Sequence, residues 1–288
     1  MANRTEEIVW ITTDDGVRHE GVVIQPTGPA NGTAVVWMHG FTGYFCEPHQ
    51  MTIGRYLAER GYQFVSGNGR GHHYGAGLGR WGGSPRLGGA WWELASEAFL
   101  DIKAWLDFAE KTLAPRRLVL AGHSYGGMKV VWYQGTQQDP RVAGLISASG
   151  GMRPPSRRPE LAKETLELAT KMVAEGRGLE LLPFGMTGRP GTTLSAQTVV
   201  DRAKSLVDVY GLDGGADAPI GKVRCPFLAI LGTNEPEIGS PADLETVKRN
   251  ARSSPRVETA LIEGADHVYT TTAEAVAQAI EGFLGRLG

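Results

Sequence analysis

Two cysteines in 288 residues, Cys46 and Cys225, stand far apart, and neither belongs to a C-x-x-C pair. That scarcity argues against a disulfide framework and against a cysteine-based zinc site, and makes a reduced, cytoplasmic location the expected compartment. An excess of one charge is also missing: 29 Lys and Arg face 31 Asp and Glu, a formal net charge of −2. Nucleic-acid and anionic-membrane binders depend on a sustained basic field, so neither kind of partner is expected. No stretch approaches the ~18–20 apolar residues of a membrane span. Residues 1–21 carry Glu6, Glu7, Asp14 and Asp15 and hold no apolar run of the secretory type. With 41% hydrophobic and 21% charged residues, the chain can bury a large core. What it has in excess is glycine: 40 residues, about twice the usual ~7%. No collagen-like period absorbs them, so they are expected in turns and at close backbone approaches.

Eight short β-branched or apolar runs end at glycine or polar punctuation: 8–12, 21–24, 34–38, 63–66, 117–121, 142–147, 227–231 and 257–262. They read as strands, and from the third onward they are nearly continuous in apolar residues, as parallel strands buried on both faces would be. Helical patterns occupy 49–60, 91–113, 125–138 and 272–287. In the last, Ala273, Val276, Ala277, Ile280, Phe283 and Leu284 fall at i, i+3, i+4, i+7 spacing and form one apolar face. Alternating strands and helices predict a mostly parallel sheet with helices on both faces. The rhythm breaks over 152–221, where a proline- and arginine-rich stretch leads into helical segments at 160–175 and 196–210. This predicts a core built from residues 1–150 and 222–288, with a helical cap, 151–221, inserted between strands six and seven.

The sharpest chemical signal is Gly122-His123-Ser124-Tyr125-Gly126-Gly127, a G-x-S-x-G match between a predicted strand and a predicted helix. A strained strand-to-helix turn of this kind lifts a serine oxygen above the sheet edge, at a helix N-terminus that favours developing negative charge. A glycine-rich turn with a serine N-cap is the ordinary alternative, and the strand-turn-helix setting makes it the minority reading. His39-Gly40-Phe41-Thr42-Gly43 follows the third strand. An oxyanion hole takes one backbone N–H from that loop and one from the residue after the nucleophile, which nominates Phe41 and Tyr125. The base should follow the serine in the chain, and His267 is the only histidine downstream of Ser124. Glu235, after the seventh strand, is the favoured acid; Glu237 and Asp243 are weaker rivals, and Asp266 is too near His267 in sequence to face it.

H-G-F-T-G, G-H-S-Y-G-G, G-T-N-E and G-A-D-H, in this order and covering nearly the whole chain, resemble the α/β-hydrolase superfamily, in its serine-nucleophile esterase and lipase branch. The resemblance implies the α/β-hydrolase fold, with an eight-stranded mostly parallel sheet and a helical cap. It also implies Ser124 as nucleophile, His267 as general base and Glu235 as acid, although most members carry Asp at the acid position. The implied reaction is hydrolysis of a carboxylic ester, lactone or thioester through an acyl-enzyme. A C–C or amide bond is the alternative target, and a non-catalytic ligand binder is a third reading. No cofactor or metal is implied; the partner is a small-molecule acyl substrate, with a homodimer left open.

Ten glycines fall in 67–89, on the same rim of the sheet as Ser124. This loop is either a pocket wall brought close to substrate or a long loop packed by its aromatics. Candidate substrate contacts are His39, His72, Trp81 and Trp91 here and in the oxyanion loop, with Phe184 and Met186 from the cap. His72-His73 lacks the partners of a metal site. Arg153, Arg157 and Arg158 read as a solvated basic loop, with an anionic substrate as the alternative, and Cys46 reads as a small apolar filler.

Overall fold

A computed structural model describes residues 3–158, 161–187, 192–206 and 208–287. The chain opens with the antiparallel pair β1 (Arg4–Thr12) and β2 (Arg18–Pro26), followed by β3 (Thr33–Met38), α1 (Pro48–Ala58) and β4 (Gln63–Gly67). A small hairpin comes next, β5 (Ala76–Arg80) with β6 (Gly83–Gly88), and then α2 (Ala98–Leu113), β7 (Arg117–His123), α3 (Tyr125–Gln137) and β8 (Val142–Ala148). Two helices, α4 (Lys163–Ala174) and α5 (Ala196–Ser205), separate β8 from β9 (Phe227–Gly232); α6 (Pro241–Asn250), β10 (Val257–Ile262) and α7 (Ala273–Leu284) complete the chain.

The main sheet has eight strands in the order β1-β2-β4-β3-β7-β8-β9-β10, parallel from β4 to β10 and antiparallel at the β1–β2–β4 end. Because successive side chains point to opposite faces, each strand feeds two cores. Val36 and Met38 of β3 join Leu118 and Leu120 of β7 beneath Ile102, Trp105 and Leu106 of α2. Val35 and Trp37 join Val119 and Ala121 in the opposite core, beneath Ile53 and Leu57 of α1 and Val276, Ile280 and Phe283 of α7. All six apolar residues predicted for the last helix are buried. Each such side chain contributes about 1.5–3 kcal/mol by leaving water. The expectation of strands buried on both faces fails at β10, which is half-buried, with Leu261 47% exposed. As the last strand in the order, it has a neighbour on one side only.

The glycine-rich segment holds structure that the apolar pattern does not announce. Only Leu78 of β5 is deeply buried, and the hairpin is anchored by its backbone, through a Val17–Arg80 bridge and a 2.8 Å bond from the Trp81 N–H to the Gly16 carbonyl. The predicted helix at 91–113 is also shorter, since Trp91–Leu94 is irregular and a 3-10 turn at Ala95–Glu97 leads into α2. Between β8 and β9, Ala169 and Met172 of α4 pack on Leu182, Leu194, Ala196 and Val199, a small apolar cluster separate from both sheet cores. Among the described residues no helix is long and apolar enough to cross a membrane.

Candidate active site

The parallel strands deliver the chemistry to their C-terminal ends. β7 stops at His123 and α3 starts at Tyr125, which leaves Ser124 as the single residue of the turn, at φ 54° and ψ −122°. A non-glycine residue held there is strained by about 1–3 kcal/mol, and the turn closes only because its neighbours lack side chains. A Cβ on Gly122 would come within 2.5 Å of the Gly126 backbone, and one on Gly126 within 2.4 Å of the Met38 and His39 carbonyl oxygens. The Ser124 N–H is fixed by a 2.9 Å bond to the Ala148 carbonyl at the end of β8.

Three side chains then form a continuous hydrogen-bonded line. Ser124 Oγ lies 2.8 Å from His267 Nε2, and His267 Nδ1 lies 2.9 Å from Glu235 Oε2. Glu235 is 1% exposed, and its other oxygen accepts from the Ser149 hydroxyl and the Gly232 N–H, each at 2.5 Å. A carboxylate that accepts from Nδ1–H leaves Nε2 as the lone-pair nitrogen facing the serine. Of the rival acids, Asp243 caps α6 in a reciprocal pair with Ser240, and Asp266 accepts from the Thr270 hydroxyl and N–H. The Thr270 hydroxyl bond is the main reason the Asp266 carboxyl is held below its usual range.

Several supporting residues are not legible as sites in the sequence. Ser149, in the left-handed region at φ 47°, passes a hydrogen bond between Glu235 and the Tyr269 hydroxyl, 2.6 Å away. The only hint in the sequence is position: Ser149 directly follows the sixth main-sheet strand, on the rim where the acid also sits. His123 donates from Nε2 to the His267 carbonyl at 2.6 Å, so the residue before Ser124 holds the loop of His267. Burial keeps His123 neutral, its pKa well below the ordinary histidine value.

Of the candidate contacts, Phe41 and Tyr125 line a cavity of about 150 Å³ together with Ser124, and their rings meet edge to face at 6.3 Å. His39 lies beneath this loop. It donates from Nδ1 to the Gly40 carbonyl at 2.7 Å and accepts the Gly69 N–H on Nε2 at 3.0 Å, with burial pushing its pKa down to about 3. His72 meets the His73 ring edge to face, and Trp81 sits at the hairpin tip, 79% exposed. Trp91 offers its carbonyl to Ser195 and Thr198, and its ring meets the 64% exposed Phe184; Met186 packs into the α4–α5 cluster. None of His39, His72, Trp81, Trp91, Phe184 and Met186 is on the cavity wall. The wall is instead completed from the segment between β8 and β9, by Arg153, Arg158, Leu194, Arg202 and Leu206 among others.

None of the glycines of 67–89 lines the cavity; Gly77, Gly79 and Gly82 face open space, and others pack against protein. Gly67 lies on Trp105, Gly71 on Glu93, and Gly89, at φ +90°, on the backbone of Gly75. Arg157 is exposed. Cys46, expected as a filler, is exposed, and partial burial with the neighbouring Glu47 raises its thiol pKa. Among the described residues no cluster of three His, Cys, Asp or Glu is placed to hold a metal ion.

A serine sits at this turn, a histidine after the last strand and a glutamate after the one before it. The sequence profile of the Alpha/beta hydrolase family matches residues 35–279. The chain belongs to this family. No curated protein matches it in sequence. Solved structures of the same fold include Est1E from Butyrivibrio proteoclasticus with ferulic acid bound, with a TM-score of 0.69 and 21% identity over 97% of this chain and 98% of that one. A highly thermostable carboxyl esterase from Bacillus coagulans, in complex with glycerol, superposes with a TM-score of 0.75 at 14% identity over 98% and 99% of the two chains. A soluble variant of monoglyceride lipase from Saccharomyces cerevisiae gives 0.66 at 18% identity over 97% and 95%. At these identities the likeness is one of fold, and this α/β hydrolase keeps its eight-stranded sheet and both helical layers throughout.

Proposed function

We propose that the protein is a serine hydrolase that cleaves carboxylic esters through an acyl-enzyme, with Ser124 as nucleophile, His267 as general base and Glu235 as the orienting acid. The observation that carries this reading is the unbroken line from Ser124 Oγ to His267 to the buried Glu235, opening on a cavity at its serine end. Neighbours in fold named as esterases and a monoglyceride lipase support an ester as the bond attacked.

In this mechanism His267 Nε2 removes the Ser124 proton as Oγ attacks the ester carbonyl. The tetrahedral oxyanion is held by the backbone N–H groups of Phe41 and Tyr125, each worth about 3 kcal/mol in the transition state. Glu235 stabilises the imidazolium, which then gives its proton to the departing alcohol. Water, activated by the same nitrogen, attacks the acyl-enzyme and frees the acid and Ser124. No step calls for a cofactor or metal. The substrate is a small acyl compound, and residues 151–221 act as the cap that closes the cavity over Ser124.

A panel of p-nitrophenyl esters from acetate to octanoate, set beside matched anilides and a β-diketone, tests the proposal. The expected result is Ser124-dependent release of p-nitrophenol from the short esters, with slow or no turnover of the other bonds. Undiminished ester hydrolysis by Ser124→Ala would overturn it.

A further inference from the structure

Three cations are deeply buried among the described residues, and the fold treats one of them differently. Arg70, 1% exposed, is met by Asp101, Glu97 and Asp15, and Lys129, 5% exposed, is met by Glu93. Arg202 of α5, 9% exposed, is met by no carboxylate among the described residues. Its guanidinium carbon stands 4.4 Å from the Tyr125 ring centre and 5.0 Å from that of Phe41, a cation–π contact with each of two mutually perpendicular rings beside the nucleophile. Ring faces leave the in-plane donors unmet. One NH2 reaches the Ala90 carbonyl at 3.5 Å, and the buried Nε has no acceptor.

The same cavity wall carries two further guanidinium groups. Arg158 is spent on the Arg153 and Leu206 carbonyls, whereas the half-buried Arg153 side chain has no hydrogen-bond or ion-pair partner among the described residues. Among the described residues of the wall, three arginines stand against a single carboxylate, the exposed Glu237. Unmet, fixed donors beside the nucleophile are suited to a planar anion that supplies two acceptor oxygens.

We infer that this cavity selects a short ester that carries a carboxylate, bound through Arg202 with Arg153 beside it. The inference rests on the ester-hydrolase reading and adds the substrate class. The cavity's volume of about 150 Å³ holds a group of roughly benzene size, so only a few carbon atoms separate the ester carbonyl from the carboxylate. The half-ester of a short dicarboxylic acid has this form, and so does a short acyl ester of a hydroxy acid.

The test is a ratio of kcat/KM values for a charged ester and its neutral isostere. One arm compares the mono-p-nitrophenyl ester of glutaric acid with its methyl-capped form, which places the charge on the acyl side. The other compares an acetylated hydroxy acid with its amide, which places it on the alcohol side. The wild-type protein is expected to prefer the anion at least tenfold in one arm, and that arm tells which side the arginines face. In Arg202→Met this ratio should fall at least tenfold, Arg202→Lys should retain more of it than Met does, and Arg153→Gln should lose part of it. Arg153 is half-buried outside both sheet cores, so its variant tests the idea even where Arg202 variants fold poorly. Equal handling of charged and neutral esters by the wild type, or an unchanged ratio in Arg202→Met, overturns the inference while leaving the hydrolase reading standing. Absence of Ser124-dependent hydrolysis for every ester overturns both.

Discussion

Replacing Glu235 with Gln preserves shape and volume yet should lower kcat at least tenfold. Both carboxylate oxygens act as acceptors, Oε2 from His267 Nδ1–H and Oε1 from the Gly232 N–H and the Ser149 hydroxyl. A glutamine has one acceptor atom and one NH2 group, so one side must now face a donor. The Gly232 N–H is fixed in the backbone, whereas His267 can move its proton to the other nitrogen. The amide oxygen therefore stays on Gly232 and the NH2 turns to Nδ1, which forces the proton onto Nε2, where it opposes Ser124. An imidazole in that tautomer cannot accept the serine proton, and the wrong tautomer costs about 10⁴-fold in kcat, or roughly 5.5 kcal/mol. The opposite flip would set a buried NH2 against a buried N–H at about 1–3 kcal/mol, so a minor active rotamer survives and holds the observed loss to about 10–100-fold. Stopped-flow hydrolysis of p-nitrophenyl acetate measures kcat directly, with urea unfolding of the same samples to show that the fold survives. Glu237→Gln is the control and should stay within a few-fold of wild type. A loss below tenfold in Glu235→Gln, or an equal loss in Glu237→Gln, would refute the reasoning.

Ser124→Gly should be more stable to urea than Ser124→Ala by about 1 kcal/mol, because glycine alone adopts φ 54° and ψ −122° without strain; the reverse order would show that the turn is unstrained. Lys129→Met strands the buried Glu93 carboxylate and should lower stability by about 3–5 kcal/mol, while adding Glu93→Leu restores most of it; similar losses in the single and double variants would contradict this. His39 and His49 have pKa values pushed by burial down to about 3 and about 4, and His123 lies well below the ordinary value. These groups stay neutral in the fold but take up protons near pH 6.5 when unfolded. Stability is therefore fully present above about pH 6.5 and falls from there toward pH 4, each histidine adding a slope of about 1.4 kcal/mol per pH unit. Urea titrations at pH 7.5, 6 and 5 measure this, and a flat profile would count against burial of neutral imidazoles.

The strands β3, β4, β7, β8 and β9 were legible because strands buried on both faces require unbroken apolar runs, and α7 because its six apolar residues share one face. The Ser124 turn was legible because close backbone contact at Gly122 and Gly126 excludes any side chain. The β5–β6 hairpin escaped notice for the opposite reason. Glycines carry no side-chain alternation, and this hairpin is held by backbone bonds to the β1–β2 turn. The aromatic residues of 67–92 fit a pocket wall and a self-packed loop equally well in sequence; in the fold Tyr74, Trp91 and Trp92 pack on each other and on the segment between β8 and β9, while Trp81 is exposed. Arg202 gave no signal at all, since its place over Phe41 and Tyr125 depends on how α5 meets two loops far away in sequence. Polar cavity walls built from distant segments have no local period to read.

Intact-protein mass spectrometry after brief exposure to a fluorophosphonate, or after acid quench of a slowly deacylating p-nitrophenyl ester, tests the central claim most directly. The account predicts a single adduct per chain that maps by peptide digestion to Ser124, vanishes in Ser124→Ala and forms far more slowly in His267→Ala. A folded wild-type protein that takes up no adduct, or takes it up elsewhere in the chain, would contradict it.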